Sequence, residues 1–344
     1  MSDAPDGPRA AAPEEEPPRG ESPDRPLPTE QVLAAAARLQ GALETLVVGQ
    51  RAAVETLLAV YVAGGHALLE GLPGLGKTRL ARSFAGCLGS GFTRVQFTPD
   101  LMPGDITGTN VFDPATATFR LLRGPVFTAV LMADEVNRTP PKTQAALLEA
   151  MQERQVTIDG ESYPLAPEFF VIATQNPIEL EGVYPLPEAQ LDRFLARIEM
   201  GLPAHDDELE LYRMALRGEL GPGDEGRAPA AVVSRPEALA LRGAARRIHV
   251  APELLVYLAR LARAARGSPH VDLGVSPRAA LALLEAARAV ALLEGRDFLL
   301  PDDLKRMLVP CWAHRLILTP ESELEGHTPR QILDEVAAAE PVPH

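Results

Sequence analysis

Cysteine is scarce in this sequence. Only Cys87 and Cys311 occur among 344 residues, and no CxxC pair is present, which excludes a disulfide framework or a zinc cluster. Apolar runs are short, and none approaches the roughly 20 residues that a membrane-spanning helix needs. The N-terminus has no basic start followed by an apolar stretch, so we expect no signal peptide. Together these absences predict a soluble, cytoplasmic protein.

Positive charge is also in short supply. The chain has 33 Lys and Arg residues against 47 Asp and Glu, giving a formal net charge of −14. Non-specific attraction to nucleic acid or to an anionic membrane is therefore not expected of the chain as a whole, although a local basic groove is compatible with this balance. The hydrophobic content of 46% is enough for one large domain or two smaller ones.

The chain divides into three predicted regions. Residues 1–28 are acidic, rich in proline and nearly without large apolar side chains, which predicts a disordered extension, either a partner-binding tail or a solvated one. Residues 29–203 alternate short apolar strands with helices, the pattern of an α/β domain whose parallel sheet is sandwiched by helices. Residues 204–344 predict a small all-helical domain, in which one helix is capped by Ser276 and ended by Gly295.

Two further helix starts are predicted in the α/β region. Thr29 is the predicted N-cap of the first helix, and Thr139, followed by a proline, is the predicted N-cap of the helix after the third strand. The segment 155–165 predicts a β-hairpin that turns at Asp159–Gly160.

The segment GLPGLGKT, residues 71–78, carries the clearest chemistry. It fits the pattern GxxxxGK[ST] and lies between a predicted strand and a predicted helix, as the phosphate-binding loop requires. Its glycines let backbone N–H groups close around phosphate oxygens, and the helix N-terminus adds partial positive charge. Lys77 would reach the β and γ phosphates, and Thr78 would offer a hydroxyl to Mg²⁺. The alternative is a tight glycine turn without function.

A second segment complements this loop. The apolar strand TAVLMAD, residues 128–134, ends in Asp134–Glu135, and two adjacent carboxylates resist burial unless a cation is present. We predict that Asp134 holds Mg²⁺ through its water shell and that Glu135 accepts a proton from the attacking water. The other interpretation is an acidic cap on the following helix.

Three weaker signals accompany these segments. The segment VIATQNP ends a further strand with Gln175–Asn176. The amide of Asn176 would orient the lytic water, although asparagine before proline is also a common turn. Arg193 in EAQLDRF and Arg278 in GVSPR would each be read as surface arginines in isolation. Phosphoryl transfer does call for an arginine on the transition state, where it is worth about 10³–10⁵ in rate.

Four segments together resemble the MoxR branch of the AAA+ ATPases. They are residues 71–78, 131–160, 169–194 and 274–289, and the likeness runs from about residue 30 to the C-terminus. The resemblance implies an AAA+ P-loop core followed by a helical lid, and an ATPase that uses Mg²⁺. The roles that it implies are Walker A at 71–78, Walker B at Asp134 and Glu135, sensor 1 at Asn176, an arginine finger acting on the neighbouring subunit at Arg193, and sensor 2 at Arg278.

The resemblance also implies which residues contact ATP. The segment VVGQ, residues 47–50, resembles the one that packs around adenine, and Gln96 corresponds to a polar residue that couples the bound ligand to Glu135. The implied metal ligands are Thr78 and Asp134. The implied nucleotide-binding residues are Val48, Gly49, Pro73, Gly74, Leu75, Gly76, Lys77, Thr78 and Arg79.

At the level of the assembly, the resemblance implies a ring, with a hexamer expected, that carries ATP between subunits and acts on a protein client. The expected partner has a von Willebrand factor A domain, and the expected task is chaperone-like, such as protein maturation or metal-cofactor insertion. Two segments, 107–127 and 155–165, resemble hairpins that point toward the pore or the client in related rings. Both are equally compatible with surface hairpins that have no direct role.

Three alternatives compete with this function. A nucleic-acid motor or loader is disfavoured by the net charge of −14 and by the lack of a basic stripe with aromatics. A GTPase switch would normally carry an NKxD element, which the sequence lacks. A silent P-loop scaffold is disfavoured because Glu135, Asn176 and Arg193 are all present.

Overall fold

The computed structural model describes residues 27–176, 184–219 and 229–343. The predicted extension 1–28 therefore lies outside the described residues except for its last two. At the centre is a five-stranded parallel sheet in the order β2-β5-β8-β1-β9. Its strands are β1 (Ala67–Glu70), β2 (Phe92–Gln96), β5 (Val130–Asp134), β8 (Phe170–Gln175) and β9 (Ala196–Glu199).

Alternate residues of β5 enter two different apolar cores. Val130 and Met132 pack with the helices α1 (Thr29–Leu46), α2 (Arg51–Val62) and α3 (Lys77–Cys87). Leu131 and Ala133 pack instead with α5 (Pro141–Glu153) on the opposite face. Burial on both faces explains why β5 is a continuous apolar run from Val130 to Ala133 and does not alternate with polar residues. The predicted sandwich of helices around a parallel sheet is confirmed.

Two hairpins project from this core. After the short helix α4 (Pro103–Thr107), β3 (Gly108–Asp113) pairs with β4 (Thr118–Arg123). Farther along, β6 (Gln155–Ile158) pairs with β7 (Glu161–Pro164). The predicted turn at Asp159–Gly160 is confirmed, since both residues have positive φ, 51° and 87°, as a type I′ turn requires.

The C-terminal region is mainly helical. Its helix α10 starts where predicted, with Ser276 Oγ accepting from the Ala279 N–H, and it ends near Gly295 at a φ of 77°. The helices of residues 184–343 are α6 (Glu188–Leu191), α7 (His205–Leu216), α8 (Arg235–Ala245), α9 (Pro252–Gly267), α10 (Pro277–Leu293), α11 (Pro301–Trp312), α12 (Pro320–Leu324) and α13 (Pro329–Ala339). Among the described helices, none is both long and apolar enough to cross a membrane.

Three details differ from the sequence-based predictions. The C-terminal region is not wholly helical, because β10 (Val271–Leu273) and β11 (Ile317–Leu318) form an antiparallel pair. Strands this short have no readable periodicity. The predicted N-caps at Thr29 and Thr139 are each wrong by one residue, since Pro28 and Pro140 occupy the cap positions.

The predicted boundary between residues 203 and 204 falls in the segment between β9 and α7. No gap in packing marks that boundary. Leu57 of α2 and Leu283 of α10 belong to one apolar cluster, so the C-terminal helices share a core with the helices on one face of the sheet. The division into two domains remains a prediction.

Candidate nucleotide-binding site

The strand order brings three sequence segments to one edge of the sheet. Strand β8 lies between β1 and β5, with Glu70 opposite Gln175 and Ala133 opposite Ala173. Since the strands are parallel, their carboxyl ends share this edge, where ligands bind in open α/β sheets. The loop after β1, Asn176 after β8 and the acidic pair that ends β5 therefore lie beside one another.

The loop at residues 71–76 has the form of an anion cradle. Gly74 and Gly76 have φ values of 84° and 86°, and no heavy atom lies within 4 Å of where a Cβ would stand at either. Gly76 is the N-cap of α3 and has no side chain that could accept from the amides of the first turn. Lys77 Nζ donates to the Gly71 carbonyl at 2.6 Å. Open space, helix amides and a nearby ammonium fit a polyphosphate, and Thr78 lies half-buried in the first turn of α3.

Asp134 is buried at the end of β5 and is held by two partners. Its Oδ1 accepts from Thr174 Oγ1 at 2.5 Å. Its Oδ2 accepts from Arg94 Nη2 at 2.5 Å and from Arg94 Nε at 3.0 Å. The acidic pair at Asp134–Glu135 was predicted to need a metal ion to relieve its repulsion. Arg94, which that prediction missed, supplies a protein cation as well.

The Glu135 carboxylate has its own partners, although its backbone shares Thr174 with Asp134. Its Oε2 accepts from Gln96 Nε2 at 2.6 Å and lies 3.2 Å from Arg138 Nε. Its N–H donates to Thr174 Oγ1 at 2.9 Å. Glu135 occupies the cap position of the short 3-10 helix Val136–Arg138 but makes no side-chain cap bond there. The alternative interpretation of Glu135 as a helix cap is therefore not supported, and the contact with Gln96 is the one that the resemblance implied.

Asn176 follows β8 directly and is buried. On the adjacent strand, Glu70 immediately precedes the phosphate loop. Burial raises the pKa of the Glu70 carboxyl, and the nearby Arg197 guanidinium opposes that shift. The predicted sensor residue thus lies at the same sheet edge as the phosphate loop.

Arg193 is brought to α5, away from the loop residues. Its Nη1 donates to the Leu148 carbonyl at 3.0 Å and to Gln152 Oε1. Its Nε is buried without a hydrogen-bond partner. A buried guanidinium N–H left unpaired is costly, so the side chain is not fully satisfied by these contacts.

Arg278 and a second lid arginine meet beside Arg193. Arg278 Nε, in the first turn of α10, lies 3.7 Å from Asp192 Oδ2. Arg315 is almost fully buried, and its Nε donates to Asp192 Oδ1 at 2.7 Å while its Nη2 donates to the Phe194 carbonyl at 2.8 Å. Arg315 was not predicted from the sequence, where its one signal is the pair His314–Arg315 within the otherwise apolar segment WAHRLIL.

The predicted adenine segment borders a cavity. Val48 and Gly49 line it together with Glu44 and Asp207, and its volume is about 420 Å³. Gly49 has a φ of 77°, and a Cβ there would stand 2.7 Å from Pro203 Cβ. Arg79 Nε, on the helix that follows the phosphate loop, donates to the Leu46 carbonyl at 2.8 Å. This bond links α3 to the segment that lines the cavity.

Comparison with known proteins places these features in a family. Residues 66–196 match the ATPase family associated with various cellular activities, and residues 263–336 match the AAA lid domain. The chaperone MoxR1 of Mycobacterium tuberculosis is 40% identical over 304 residues, covering 86% of this chain and 78% of MoxR1. The chain belongs to the MoxR family of AAA+ ATPases. The resemblance inferred from the sequence is thereby confirmed.

Two further relatives of this MoxR-family chain cover nearly its whole length. YeaC of Bacillus subtilis, described as uncharacterised, is 42% identical over 301 residues, which are 88% of this chain and 92% of YeaC. The crystal structure of a candidate ATPase from Cytophaga hutchinsonii superposes with a TM-score of 0.83 at 37% identity, covering 92% of this chain and 98% of that one. The superposition shows that the shared fold extends through the C-terminal region.

Proposed function

We propose that this MoxR-family protein hydrolyses ATP and uses the energy to remodel protein clients as an oligomeric ring, with a hexamer expected. The observation that carries the proposal is the position of Glu135, held by Gln96 at the sheet edge that also presents the open phosphate loop. Thr78 and Asp134 would hold Mg²⁺, which supplies charge neutralisation at the β and γ phosphates.

Each side chain at this edge then has a step to perform. Lys77 exchanges the Gly71 carbonyl for a phosphate oxygen, and the amides of Gly74 and Gly76 bind the phosphate chain. Glu135 takes the proton of the attacking water, which Asn176 orients. Val48 and Gly49 bind the adenine at the cavity beside Asp207, with Pro73, Leu75 and Arg79 completing the nucleotide contacts.

The contacts of Arg193 support the proposed ring. Its contacts lie on α5 and leave Nε unpaired, which is compatible with a finger that serves the ATP site of a neighbouring subunit. Arg278 acts from the lid, and its ion pair with Asp192 adjoins the finger. Motion of the lid on hydrolysis would then be transmitted through Asp192 to the segment that carries Arg193.

The proposed client contact is the β3–β4 hairpin. Phe112 and Phe119 face each other across it at a ring distance of 5.4 Å, and both are exposed. Exposed apolar groups of this kind mark surfaces that bind other proteins. The family further suggests a partner with a von Willebrand factor A domain, a role in protein maturation or metal-cofactor insertion, and a cytoplasmic location.

One feature of the same hairpin favours the second candidate function, a nucleic-acid motor. Arg120 and Arg123 lie on β4, the strand that also carries the exposed Phe119, and cations close to aromatics suit single-stranded nucleic acid. Salt-sensitive binding to DNA through this hairpin would favour the motor. Salt-independent binding of an unfolded protein would favour the remodelling function.

ATP turnover per subunit, measured against protein concentration with Mg²⁺ present, tests the proposed function. We expect the rate per subunit to rise with concentration, because a site completed by a neighbour forms only on assembly. Size-exclusion chromatography at each concentration gives the oligomeric state, and Lys77→Ala is the inactive control. A constant rate from a monomer would contradict the shared site, and no turnover in any assembled sample would contradict hydrolysis.

A further inference from the structure

Three metal-ligating side chains converge in the C-terminal region, far along the chain from the phosphate loop. The potential ligand atoms of His270, Glu325 and His327 all lie within 4.8 Å of one another. The two imidazole rings have centroids 4.2 Å apart, and His327 Nε2 lies 3.4 Å from Glu325 Oε2. Both histidines are half-buried and the glutamate is exposed, so the cluster is open to solvent on one side.

The backbone fixes these residues in place. Val271 pairs with Leu318 between β10 and β11, and the Thr319 N–H donates to the His270 carbonyl at 3.0 Å. After α12 the chain turns at Gly326, whose φ is 82°, and the His327 N–H donates to the Ser322 carbonyl at 3.0 Å. The site is therefore built on two anchored turns.

A buried hydroxyl orients one of the imidazoles. His270 Nδ1 lies 2.9 Å from Ser322 Oγ, and Ser322 is buried. Thr319 Oγ1 donates to that same Oγ at 2.9 Å. A His270 that donates its Nδ1–H to Ser322 keeps Nε2 as the ligand nitrogen, and this arrangement is how metal-binding histidines are held in the correct tautomer.

We propose that His270, Glu325 and His327 bind a divalent transition metal ion, with zinc as the best match to the donor set. Two imidazoles and one carboxylate are ligands that zinc accepts together with a water molecule in the fourth position. Mg²⁺ is a poor match, because imidazole suits zinc, copper and nickel, whereas Mg²⁺ prefers oxygen donors. The ion would join the α9–β10 turn to the α12–α13 turn.

The distances are compatible with small side-chain adjustments. Donors bound to tetrahedral zinc at about 2.0–2.1 Å stand roughly 3.3 Å from one another. The observed upper limit of 4.8 Å exceeds that separation by an amount that rotations of the exposed Glu325 and of the His327 ring can remove.

The two cysteines and the two core histidines do not compete for the ion. Burial raises the pKa of the Cys87 thiol to about 11 and that of Cys311 to about 12, so both are protonated at neutral pH, and thiolate is the form that binds metals. His66 and His314 are buried in the core. The sequence-based exclusion of a zinc cluster rested on cysteine spacing alone, which carries no information about His270 and His327.

The test uses the full chain, stripped with a chelator and titrated with Zn²⁺ against a chromogenic competitor. Excess Mg²⁺ and ADP are present, so that the nucleotide site is filled. We expect one equivalent of tightly bound Zn²⁺. His270→Ala and His327→Ala should weaken its binding by at least about 100-fold, and Ser322→Ala by about 10-fold. The matched control is His249→Ala, an exposed histidine of the same region that lies outside the cluster.

Two further readouts separate binding from folding. Zn²⁺ should raise the melting temperature of the wild-type chain and of His249→Ala, but not that of His327→Ala, because only binding to the native state stabilises it. Glu325→Gln changes an exposed side chain and should remain folded while losing affinity. Equal affinity in the wild type, His327→Ala and Glu325→Gln, or the absence of a tight equivalent in the wild type, would overturn the proposal.

Discussion

Glu135 has a backbone conformation that few residues other than glycine adopt. Its φ of 58° is left-handed, which costs of the order of 1–3 kcal/mol unless surrounding contacts fix it. Those contacts are present, since its N–H donates to Thr174 and its carboxylate accepts from Gln96. Strain held by such contacts is concentrated at functional sites, and this supports the proposed role of Glu135 in catalysis.

Glu135→Gln should retain ATP binding and lose turnover by about 10²–10⁴, because the amide cannot accept the proton of water. Binding is measured with a fluorescent nucleotide and turnover by phosphate release. The matched control is Glu149→Gln, an exposed glutamate on α5, which should behave as wild type. Normal turnover in Glu135→Gln would remove this residue from the role of base.

At the scale of elements, the C-terminal helices are joined to the sheet domain by a buried arginine. Arg315 follows α11, and its guanidinium reaches Asp192 and the Phe194 carbonyl in the segment between α6 and β9. Burial lowers the pKa of Arg315, although Asp192 opposes that shift. Because Asp192 directly precedes Arg193, this junction also positions the proposed finger.

Asp192→Asn should lower the free energy of unfolding by about 2–3 kcal/mol, since it leaves a buried guanidinium without its anion. It should also reduce ATP turnover through Arg193. Urea denaturation and phosphate release measure the two effects.

The control for Asp192→Asn is Glu237→Gln, which breaks the more exposed pair between Glu237 and Arg38. That pair also connects helices of the two regions, and its loss should cost less than about 1 kcal/mol. An equal loss of free energy of unfolding in Asp192→Asn and Glu237→Gln would show that burial of Arg315 does not make its ion pair more stabilising than an exposed one.

For the whole molecule, the proposed ATP site is divided between residues at the sheet edge of the phosphate loop and one residue that lies elsewhere. Lys77, Glu135 and Asn176 belong to one sheet edge, whereas Arg193 contacts α5. In a ring, Arg193 of one subunit would lie beside the phosphate loop of the next. A heterologous interface allows this because it places one face of each subunit against a different face of its neighbour.

Arg193→Ala and Lys77→Ala should each be nearly inactive alone, since the finger is worth about 10³–10⁵ in rate. Mixed in equal amounts and allowed to exchange, they should recover activity. Random assembly pairs an intact phosphate loop with an intact finger at roughly a quarter of the interfaces. Glu149→Gln mixed with Lys77→Ala gives the reference for dilution. No recovery at any ratio would count against a finger in trans.

The sequence by itself determined the features that depend on local order. The phosphate loop, the acidic end of β5, the Asp159–Gly160 turn and the caps of α10 each lie within a few consecutive residues. Backbone geometry or burial fixes the residue types at these positions. The apolar runs of the buried strands also predicted the parallel sheet correctly. The roles of the predicted site residues, among them Lys77, Glu135, Asn176, Arg193 and Arg278, remain predictions, since the structure gives their positions and contacts alone.

Tertiary structure alone decided the pairings between distant segments. Arg94 meets Asp134, Arg315 meets Asp192, and His270 meets His327 only because strand order and helix packing bring those segments together. Arginine and histidine are common on surfaces, so neither residue type nor local spacing distinguishes a partner from a solvated side chain. Long-range contacts of this kind depend on the packing of the whole chain, which no short pattern encodes.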